Sequence, residues 1–525
     1  MNYSTRIADQ VRGQSPMAGL DRRNLGPMQV FAQSVSGAAP AAAMAVVPAI
    51  VAASAGAATV WSVLIATGLA LLVAGCIGRF TRRMAAAGSL YSLTAKGLGA
   101  GPALLAGAGL LVGYSLLAMA SLTGAAMQIT ALISRFGLTP AANPVVAAVL
   151  VMALAGLVAA CTVRGVRLSA AVVLLVEALS ITLMLVVFGV LLVSHGIGVD
   201  SRQLAPSGTG VGAVVAGVLP ALGAFIGFEA AVAMGVEARR PFRTIPRAVG
   251  ATAALTGVLS LLAAYTQVAG FAGVPGGLAG QQQPVRALAA AEHLPWLSIM
   301  LDAGLATSFL ACSVATATAL ARLLFSMGRE GVLPARLGRA HARFRTPHVA
   351  IAVALPVLAA VPVALISLGV SPARALVPLL TTAALGYLVA YLLVCLAAPV
   401  FLYRIGELTV PSVAATSVIV PVLLVVLVAF VSTAPVSVAA LVTGAVLPLV
   451  GARYLWLRAR RPERVAAIGL YDETSTADLL RPPLPSRSEP PPRSGPGLGS
   501  GPGLGSEPPP RREPRPRHPP PGRER

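Results

Sequence analysis

The stretch Gly-Ala-Phe-Ile-Gly-Phe-Glu-Ala-Ala, residues 223–231, decides how the rest of the chain is interpreted. It places the carboxyl group of Glu229 inside an apolar segment of membrane length, shortly after Gly227. A charged side chain at the centre of a bilayer costs roughly 2.5–3.5 kcal/mol on insertion scales, so such a residue usually has a function. Glycine weakens the helix beside it, and non-helical backbone at membrane depth is tolerated only inside protein or beside a cavity. The stretch therefore predicts a binding site near the middle of a membrane.

The composition of the whole chain also indicates a membrane protein. Only 11% of the 525 residues are charged, and the mean hydropathy is +0.81. Spans of ~20 predominantly apolar residues are long enough to cross the hydrocarbon core of a bilayer. Such spans occur near residues 28–53, 58–78, 102–129, 144–163, 168–194, 211–236, 246–272, 297–326, 347–369, 374–402, 409–431 and 434–456. We therefore predict an all-α integral membrane protein with about twelve transmembrane helices.

The distribution of charge argues against a nucleic-acid partner, although the net charge is +21. If the N-terminus lies in the cytoplasm, the inner loops carry most of the arginines that precede the C-terminal tail. The outer loops then hold only Arg135, Arg202, Arg286 and Arg374. This asymmetry follows the positive-inside rule and supports both the number of spans and the orientation. It predicts a multi-pass protein in a lipid bilayer, with both termini in the cytoplasm.

The four cysteines predict no further site, and the two ends of the chain lie outside the predicted spans. Each cysteine falls in a different span and none has CxxC spacing, so we interpret them as packing residues and predict neither a disulfide nor a metal site. These residues are Cys76, Cys161, Cys312 and Cys395. Residues 1–27 form a cytoplasmic segment before the first span, which is too long for a signal-peptide core. Residues 457–525 are rich in Pro, Arg, Gly and Ser and predict a disordered cytoplasmic tail.

Two spans carry residues that break helices. The first contains Ser-Val-Ser-Gly-Ala-Ala-Pro at 34–40, and the sixth contains Pro220, Gly223 and Gly227. Residues 28–194 and 195–403 each hold five spans, so the halves would have opposite topology, with two further helices in 404–456. Interrupted helices at matching places in inverted repeats indicate a transporter site at the repeat interface.

Three blocks of sequence resemble bacterial permeases of the amino acid–polyamine–organocation superfamily. The first combines Arg-Phe at 79–80, Ala-Gly-Ser-Leu-Tyr at 87–91 and Lys-Gly-Leu-Gly at 96–99. The second is Ile-Gly-Phe-Glu at 226–229, followed by Glu237, Pro241 and Pro246. The third is Ala-Arg-Leu-Leu-Phe-Ser-Met-Gly-Arg-Glu-Gly-Val-Leu-Pro at 321–334, followed by Arg-Thr-Pro at 345–347. Together they extend over roughly spans one to nine.

The resemblance implies a five-plus-five inverted repeat, with an amino acid or related amine bound between broken helices 1 and 6. The amides that begin a half-helix carry partial positive charge and suit a carboxylate, whereas the carbonyls that end one suit an ammonium group. Carried over to this chain, the resemblance assigns the substrate carboxylate to Ser36, Gly37, Ala38 and Ala39. It assigns the ammonium group to Phe225, Ile226 and Gly227.

The chain departs from the family at two places. Gly223 stands where many members have an aromatic lid, so we expect a roomier or differently gated pocket. Some members carry a lysine in helix 5 in place of a sodium ion, but the only lysine here is Lys96, in a predicted cytoplasmic loop. Ser180 lies near the position where that lysine would align.

The acidic groups inside the predicted spans are Glu177, Glu229 and Asp302, and the histidines lie in loops, in the tail or, for His348, at the very start of a span. Burial disfavours the charged form of a carboxyl group, which makes Glu229 and Glu177 candidates for coupling transport to a proton. The alternative for Glu229 is a structural hydrogen bond between helices, and Asp302 is close enough to the outer end to be solvated. Sodium coupling would instead use hydroxyls such as Ser313 and Thr316, which also pack in any helix bundle.

The chain lacks the sequence motifs of several other protein classes. The chain has no GxxxxGK[ST] phosphate loop and neither HExxH nor GxSxG, so we predict neither an enzyme nor a cofactor.

We interpret Arg322 as a side chain that snorkels to the cytoplasmic surface. The resemblance and the Ala/Arg-rich composition favour the inner membrane of a bacterium. We predict a proton-coupled secondary transporter of amino acids or polyamines, as a monomer or homodimer. The alternatives are a sodium-coupled symporter, an exchanger, a nutrient sensor and a channel.

Overall fold

The computed structural model describes residues 17, 19–137, 143–165, 170–194, 210–291, 295–433 and 438–472. The chain divides into two units, residues 1–476 and 477–525, and every described residue lies in the first. Within these residues the regular elements are helices, and Leu25 and Ala238 form a β-bridge. Nine segments of the described chain are long and apolar enough to cross a membrane, which confirms the predicted all-α membrane architecture.

The α-helices follow the predicted spans. They are α1 Pro27–Ala38, α2 Pro40–Ala55, α3 Thr59–Thr81, α4 Leu90–Leu98, α5 Ala100–Arg135, α6 Pro144–Arg164, α7 Ala170–Ser194 and α8 Val211–Leu222. After them come α9 Pro241–Gly270, α10 Pro284–Ala291, α11 Pro295–Arg329, α12 His348–Ser367, α13 Pro372–Arg404, α14 Val410–Thr433, α15 Val438–Arg460 and α16 Pro462–Ala466. Short 3-10 helices occur at Gly56–Ala58, Phe228–Met234, Leu278–Gly280 and Ala335–Gly338. Lys96, predicted in a loop, lies on the short helix α4.

The first span is broken at Ala39. This residue has a left-handed backbone, with φ 44° and ψ 64°, and it separates α1 from α2. Pro40 begins α2, where its missing N–H costs nothing because the first amides of a helix have no intrahelical partner. The break therefore falls inside the predicted stretch 34–40.

The sixth span is broken over a longer distance. Helix α8 ends at Leu222, a turn follows, and Gly227 has φ 93°, which favours glycine because it has no Cβ. The chain then continues as the 3-10 helix Phe228–Met234 and reaches α9 only at Pro241. Residues 223–234 thus leave the α-helix where the glycines predicted it.

The two breaks touch at a pair of glycines. A Cβ added to Gly37 would collide with the carbonyl oxygen of Gly227, and one added to Gly227 would collide with that of Gly37. Close packing elsewhere also uses glycine: a Cβ on Gly109 of α5 would lie 2.6 Å from the carbonyl oxygen of Gly386 in α13.

The first and last described segments lie at the arginine-rich end of the bundle, which we call the basic end. Residues 23–25 pair with 236–239 through backbone hydrogen bonds of 2.6–3.1 Å. Asp472 forms ion pairs with Arg22 and Arg23 at 2.8 and 3.0 Å. The boundary predicted for the disordered tail is therefore too early, because residues 457–472 pack on the bundle; residues 473–525 lie outside the described residues. The repeat boundaries stay a prediction.

Candidate functional site

A pocket lies between the two helix breaks. One side is backbone and small side chains of the breaks themselves, including Ala38, Ala39, Gly223 and Ile226. The other side comes from α2, α5, α11 and α13 and is almost entirely apolar, with Ser121, Cys312 and Thr381 as its side chains bearing oxygen or sulfur. Its apolar members are Ala42, Ala43, Val46, Val47, Ile50, Leu117, Phe309, Leu380 and Ala384. Gly223 thus lines the pocket, at the position where the resemblance to the family would place an aromatic lid.

The seven residues predicted to bind substrate divide into two groups. Ala38, Ala39 and Ile226 line the pocket. The other four, Ser36, Gly37, Phe225 and Gly227, are buried beside it. The carbonyl oxygen of Gly37 accepts a hydrogen bond from the Cys312 thiol at 3.3 Å, so this glycine serves the packing of α1 on α11. The assignment of all seven residues to the substrate stays a prediction.

Glu229 is fully buried behind the second break. Its Oε2 accepts a hydrogen bond of 2.7 Å from the hydroxyl of Tyr391 in α13, and its Oε1 has no partner among the described residues. The ring of Tyr391 packs against Phe228 at 5.6 Å between centroids. A fully ionised carboxylate with one neutral donor is poorly compensated, so the neutral acid is the less costly form to bury here.

Glu177 of α7 reaches the first break. Its Oε1 accepts a hydrogen bond of 3.0 Å from the backbone N–H of Ala41, at the start of α2, and its Oε2 has no described partner. A carboxyl group at a helix N-terminus interacts favourably with the amides and the helix dipole. Ser180, by contrast, bonds to the carbonyls of Val176 and Gly304 at 2.9 and 3.1 Å and joins α7 to α11. The residue of α7 that contacts the first break is Glu177.

The two hydroxyls considered for sodium differ in their bonding. Thr316 donates to the carbonyl oxygen of Cys312 in its own helix at 2.7 Å. The Ser313 hydroxyl is buried and has no partner within the described residues. Both lie on α11 beside α1, where Gln33 donates to the carbonyl oxygen of Ala315 at 2.9 Å.

An ion pair lies toward the basic end, and it corrects the prediction that Arg322 snorkels to the surface. Arg322 is 2% exposed, and its Nη2 lies 2.8 Å from both carboxylate oxygens of Glu237, with Nε 3.2 Å from Oε1. The Arg322 side chain does not need to reach the surface, because Glu237 supplies an ionic partner inside the protein. Such forked pairs are strong and geometrically specific.

Glu330 fastens the chain after α15 to the end of α11. Its Oε1 accepts the backbone N–H groups of Gly469 and Leu470 at 3.0 and 2.9 Å, and its Oε2 accepts from the hydroxyl of Tyr91. Burial raises the pKa of Glu330 to about 7, and the three hydrogen bonds offset part of that rise. This group lies beyond the last residue of α11, outside the membrane-spanning segments.

The prediction for Asp302 is also corrected. This residue was expected to be accessible to solvent, but its side chain is 2% exposed and lies 3.0 Å from Arg135 of α5. The sequence showed both residues near one end, yet their pairing depends on the packing of α5 against α11. Tyr391 and Gln33 were missed for the same reason, since their partners are 162 and 282 residues away in the chain.

Comparison with known proteins agrees with this architecture. A family model described as amino acid permease matches residues 25–462. Uncharacterized transporters of Mycobacterium tuberculosis and Mycobacterium bovis are 32% identical over 155 residues, 29% of this chain and 35% of theirs. The branched-chain amino acid permease BcaP of Bacillus subtilis is 26% identical over 143 residues, 27% of this chain and 30% of that protein. The matches thus span about a third of the length of these curated relatives.

Proposed function

Because this chain belongs to the amino acid permease family, we propose that it is a secondary active transporter that carries amino acids across a membrane by alternating access. The observation that carries the proposal is the pocket between the two breaks. Backbone groups there suit the charged groups that every amino acid shares. The apolar wall around them, including Val47, Leu117 and Leu380, suits an aliphatic side chain. We therefore infer apolar, branched substrates, which agrees with the name of the Bacillus subtilis relative.

We propose that the chain lies in a bacterial inner membrane and, following the positive-inside rule, that the basic end faces the cytoplasm. In that orientation the structure corresponds to an outward-facing state. The ion pair of Arg322 with Glu237 and the backbone pairing of residues 23–25 with 236–239 would block the cytoplasmic path. A transport cycle must then separate these contacts and close the opposite end.

The coupling ion in this proposal is a proton carried by Glu229. The carboxyl group follows the break in the sixth span directly, so a change in its charge acts on the part of the backbone that lines the pocket. Neutral Glu229 suits the buried site of the outward-facing state, and opening of the basic end would expose it to water and release the proton. Tyr391 stabilises the carboxylate that remains.

The test is uptake of labelled amino acids and polyamines by liposomes that contain the purified chain. Uptake is measured with an inward proton gradient, a sodium gradient, neither, or unlabelled substrate inside. Glu229→Gln preserves the shape and the acceptor for Tyr391 but cannot ionise. Glu407→Gln is the matched control, because Glu407 has a side chain that is 55% exposed and pairs with Arg83 on the surface.

Proton-driven accumulation of aliphatic amino acids that Glu229→Gln abolishes and Glu407→Gln preserves is the expected result. Accumulation driven by sodium and insensitive to Glu229→Gln would refute the proton mechanism and favour a site that uses the unpartnered hydroxyl of Ser313. Exchange without accumulation would identify an exchanger. A folded protein that neither accumulates nor exchanges any member of the panel would refute transport of these substrates.

A further inference from the structure

A second cavity lies at the end of the bundle opposite the basic end. The ends of α2, α5, α10, α11 and α13 form its walls, and exposed Gln282 and Arg374 lie at its rim. It shares Val46 and Ile50 with the pocket between the breaks. We call this cavity the vestibule.

The vestibule is far larger than the pocket below it. Its volume is about 320 Å³, whereas the pocket has about 50 Å³. A buried water needs roughly 10–15 Å³ of cavity volume, so the pocket has room for only a few waters. An amino acid therefore fits the vestibule in this conformation, and the pocket must widen before it can receive one.

The two cations of the vestibule form no ion pair with a described residue, although Arg286 interacts electrostatically with Asp302. Arg286 of α10 and Arg374 of α13 both line it, and no described carboxylate lies within 4.0 Å of either guanidinium group. Among the described residues, Arg286 donates a hydrogen bond to the neutral side chain of Gln283, at 2.9 Å. The guanidinium group matches a carboxylate in charge and in the spacing of its donors. This part of the wall is suited to an anionic group.

Acceptors lie on the α5 and α11 walls. Gln128 of α5 lines the vestibule, is 4% exposed, and its Oε1 has no partner among the described residues. Asp302 of α11 also lines it and is held from behind by Arg135, which does not line the vestibule. A buried acceptor without a partner is costly unless a ligand or water supplies a donor. These oxygens suit an ammonium group.

We propose that the vestibule is a second binding site, which takes the substrate as a zwitterion before the central pocket opens. Arg286 and Arg374 hold the α-carboxylate, while Gln128 Oε1 and Asp302 accept hydrogen bonds from the α-ammonium group. This proposal rests on the proposed function, because the proposed function identifies the substrate as an amino acid. The site captures the charged groups common to all amino acids, and the apolar pocket then selects the side chain.

The experiment measures binding of labelled L-valine to the purified full chain, together with its uptake by liposomes. The test variant is Arg286→Gln/Arg374→Gln. The matched control is Arg240→Gln/Arg243→Gln, which removes the same charge from two exposed arginines at the basic end. Gln128→Leu removes the unpartnered acceptor without changing charge. Size-exclusion chromatography verifies that each variant is folded.

We expect two L-valine molecules to bind to each native or control chain and one to bind to the test variant. In uptake, the KM of the test variant should rise about tenfold with little change in kcat, since a capture site contributes to binding and not to the later steps. Gln128→Leu should raise KM in the same direction. Valinamide, which lacks the carboxylate, should compete with L-valine equally poorly in the native chain and the test variant.

A native chain that transports L-valine but binds only one molecule, with an unchanged KM in the test variant, would overturn the vestibule site and leave the transporter intact. A native chain that neither binds nor transports any amino acid of the panel would overturn both. Equal losses in the test and control variants would also refute the site, because the effect would then follow net charge and not position.

Discussion

Replacement of Gly227 by alanine tests whether the contact between the two helix breaks holds the site together. Gly227 has φ 93°, and its added Cβ would lie 2.7 Å from the carbonyl carbon of Gly37, closer still to that oxygen. The left-handed backbone costs a non-glycine residue about 1–2 kcal/mol. Overpacking against backbone, which cannot rotate away, adds about 1–3 kcal/mol. We therefore expect Gly227→Ala to destabilise the chain by about 2–5 kcal/mol.

Two further variants separate the causes. Gly37→Ala introduces the same collision without a positive φ, so it should lose only the packing part, about 1–3 kcal/mol. Gly250→Ala lies within α9, and its Cβ would meet no atom within 4 Å. Since alanine favours a helix over glycine by up to about 1 kcal/mol, this control should be neutral or slightly stabilising.

The assay is the apparent Tm, read as the loss of the monodisperse chromatographic peak after heating at one fixed rate, with liposome uptake beside it. The expected order of Tm is Gly250→Ala, then Gly37→Ala, then Gly227→Ala. If Gly227→Ala melted with Gly250→Ala and transported normally, the two breaks would not be in contact, and the pocket between them would be wrong.

Three other predictions concern the basic end. Arg322→Met should destabilise the chain by about 3–5 kcal/mol because it leaves the Glu237 carboxylate buried and unpaired. The double variant Arg322→Met/Glu237→Leu should recover part of the apparent Tm. If the losses of the two single variants were additive, the ion pair between these residues would be refuted. Burial raises the pKa of Glu330 from its usual 4.5 to about 7. The free energy of unfolding should therefore fall as pH rises from about 4.5 to about 7 and be flat above, because this carboxyl group ionises at a lower pH in the unfolded chain. Thermal scans between these values should lose this slope in Glu330→Gln. Truncation after Asp472 should leave Tm unchanged, whereas truncation after Arg460 should lower it, because only the second removes the hydrogen bonds to Glu330.

The sequence was sufficient for the architecture because membrane helices are specified locally. Each span needs only an apolar run of sufficient length, and each break needs residues that disfavour a helix. Pro40 removes an amide at the point where the first span stops, and Gly227 supplies the positive φ where the sixth span turns. Both signals act within a few residues, so they could be found without knowledge of the partners in space.

The partners of the polar groups could not be predicted in this way. Tyr391, which donates to Glu229, is one of several tyrosines in apolar spans, and only the packing of α13 against the broken helix selects it. Arg322 looked like a snorkelling side chain because Glu237 is 85 residues away. One signal for the vestibule was available, since Arg286 and Arg374 lie on the side that the positive-inside rule depletes of arginine. Arginines that persist against this bias are candidates for a function.

The positions of the two buried glutamates suggest different duties in the proposed cycle. Glu177 bonds to an amide at the start of α2, a contact within the first break that fixes a half-helix whichever form of the acid is present, because both forms retain an acceptor oxygen. Each glutamate has one oxygen without a partner among the described residues. Glu229, however, bonds to a hydroxyl on a different helix and not to the N-terminus of a helix, which would stabilise its charged form. Its surroundings therefore discriminate between the neutral and the charged form more strongly. A coupling group needs that discrimination, because a proton shifts a conformational equilibrium only by its difference in affinity for the two states. We therefore propose that Glu229 carries the coupling and that Glu177 holds the first break in place while the second one moves.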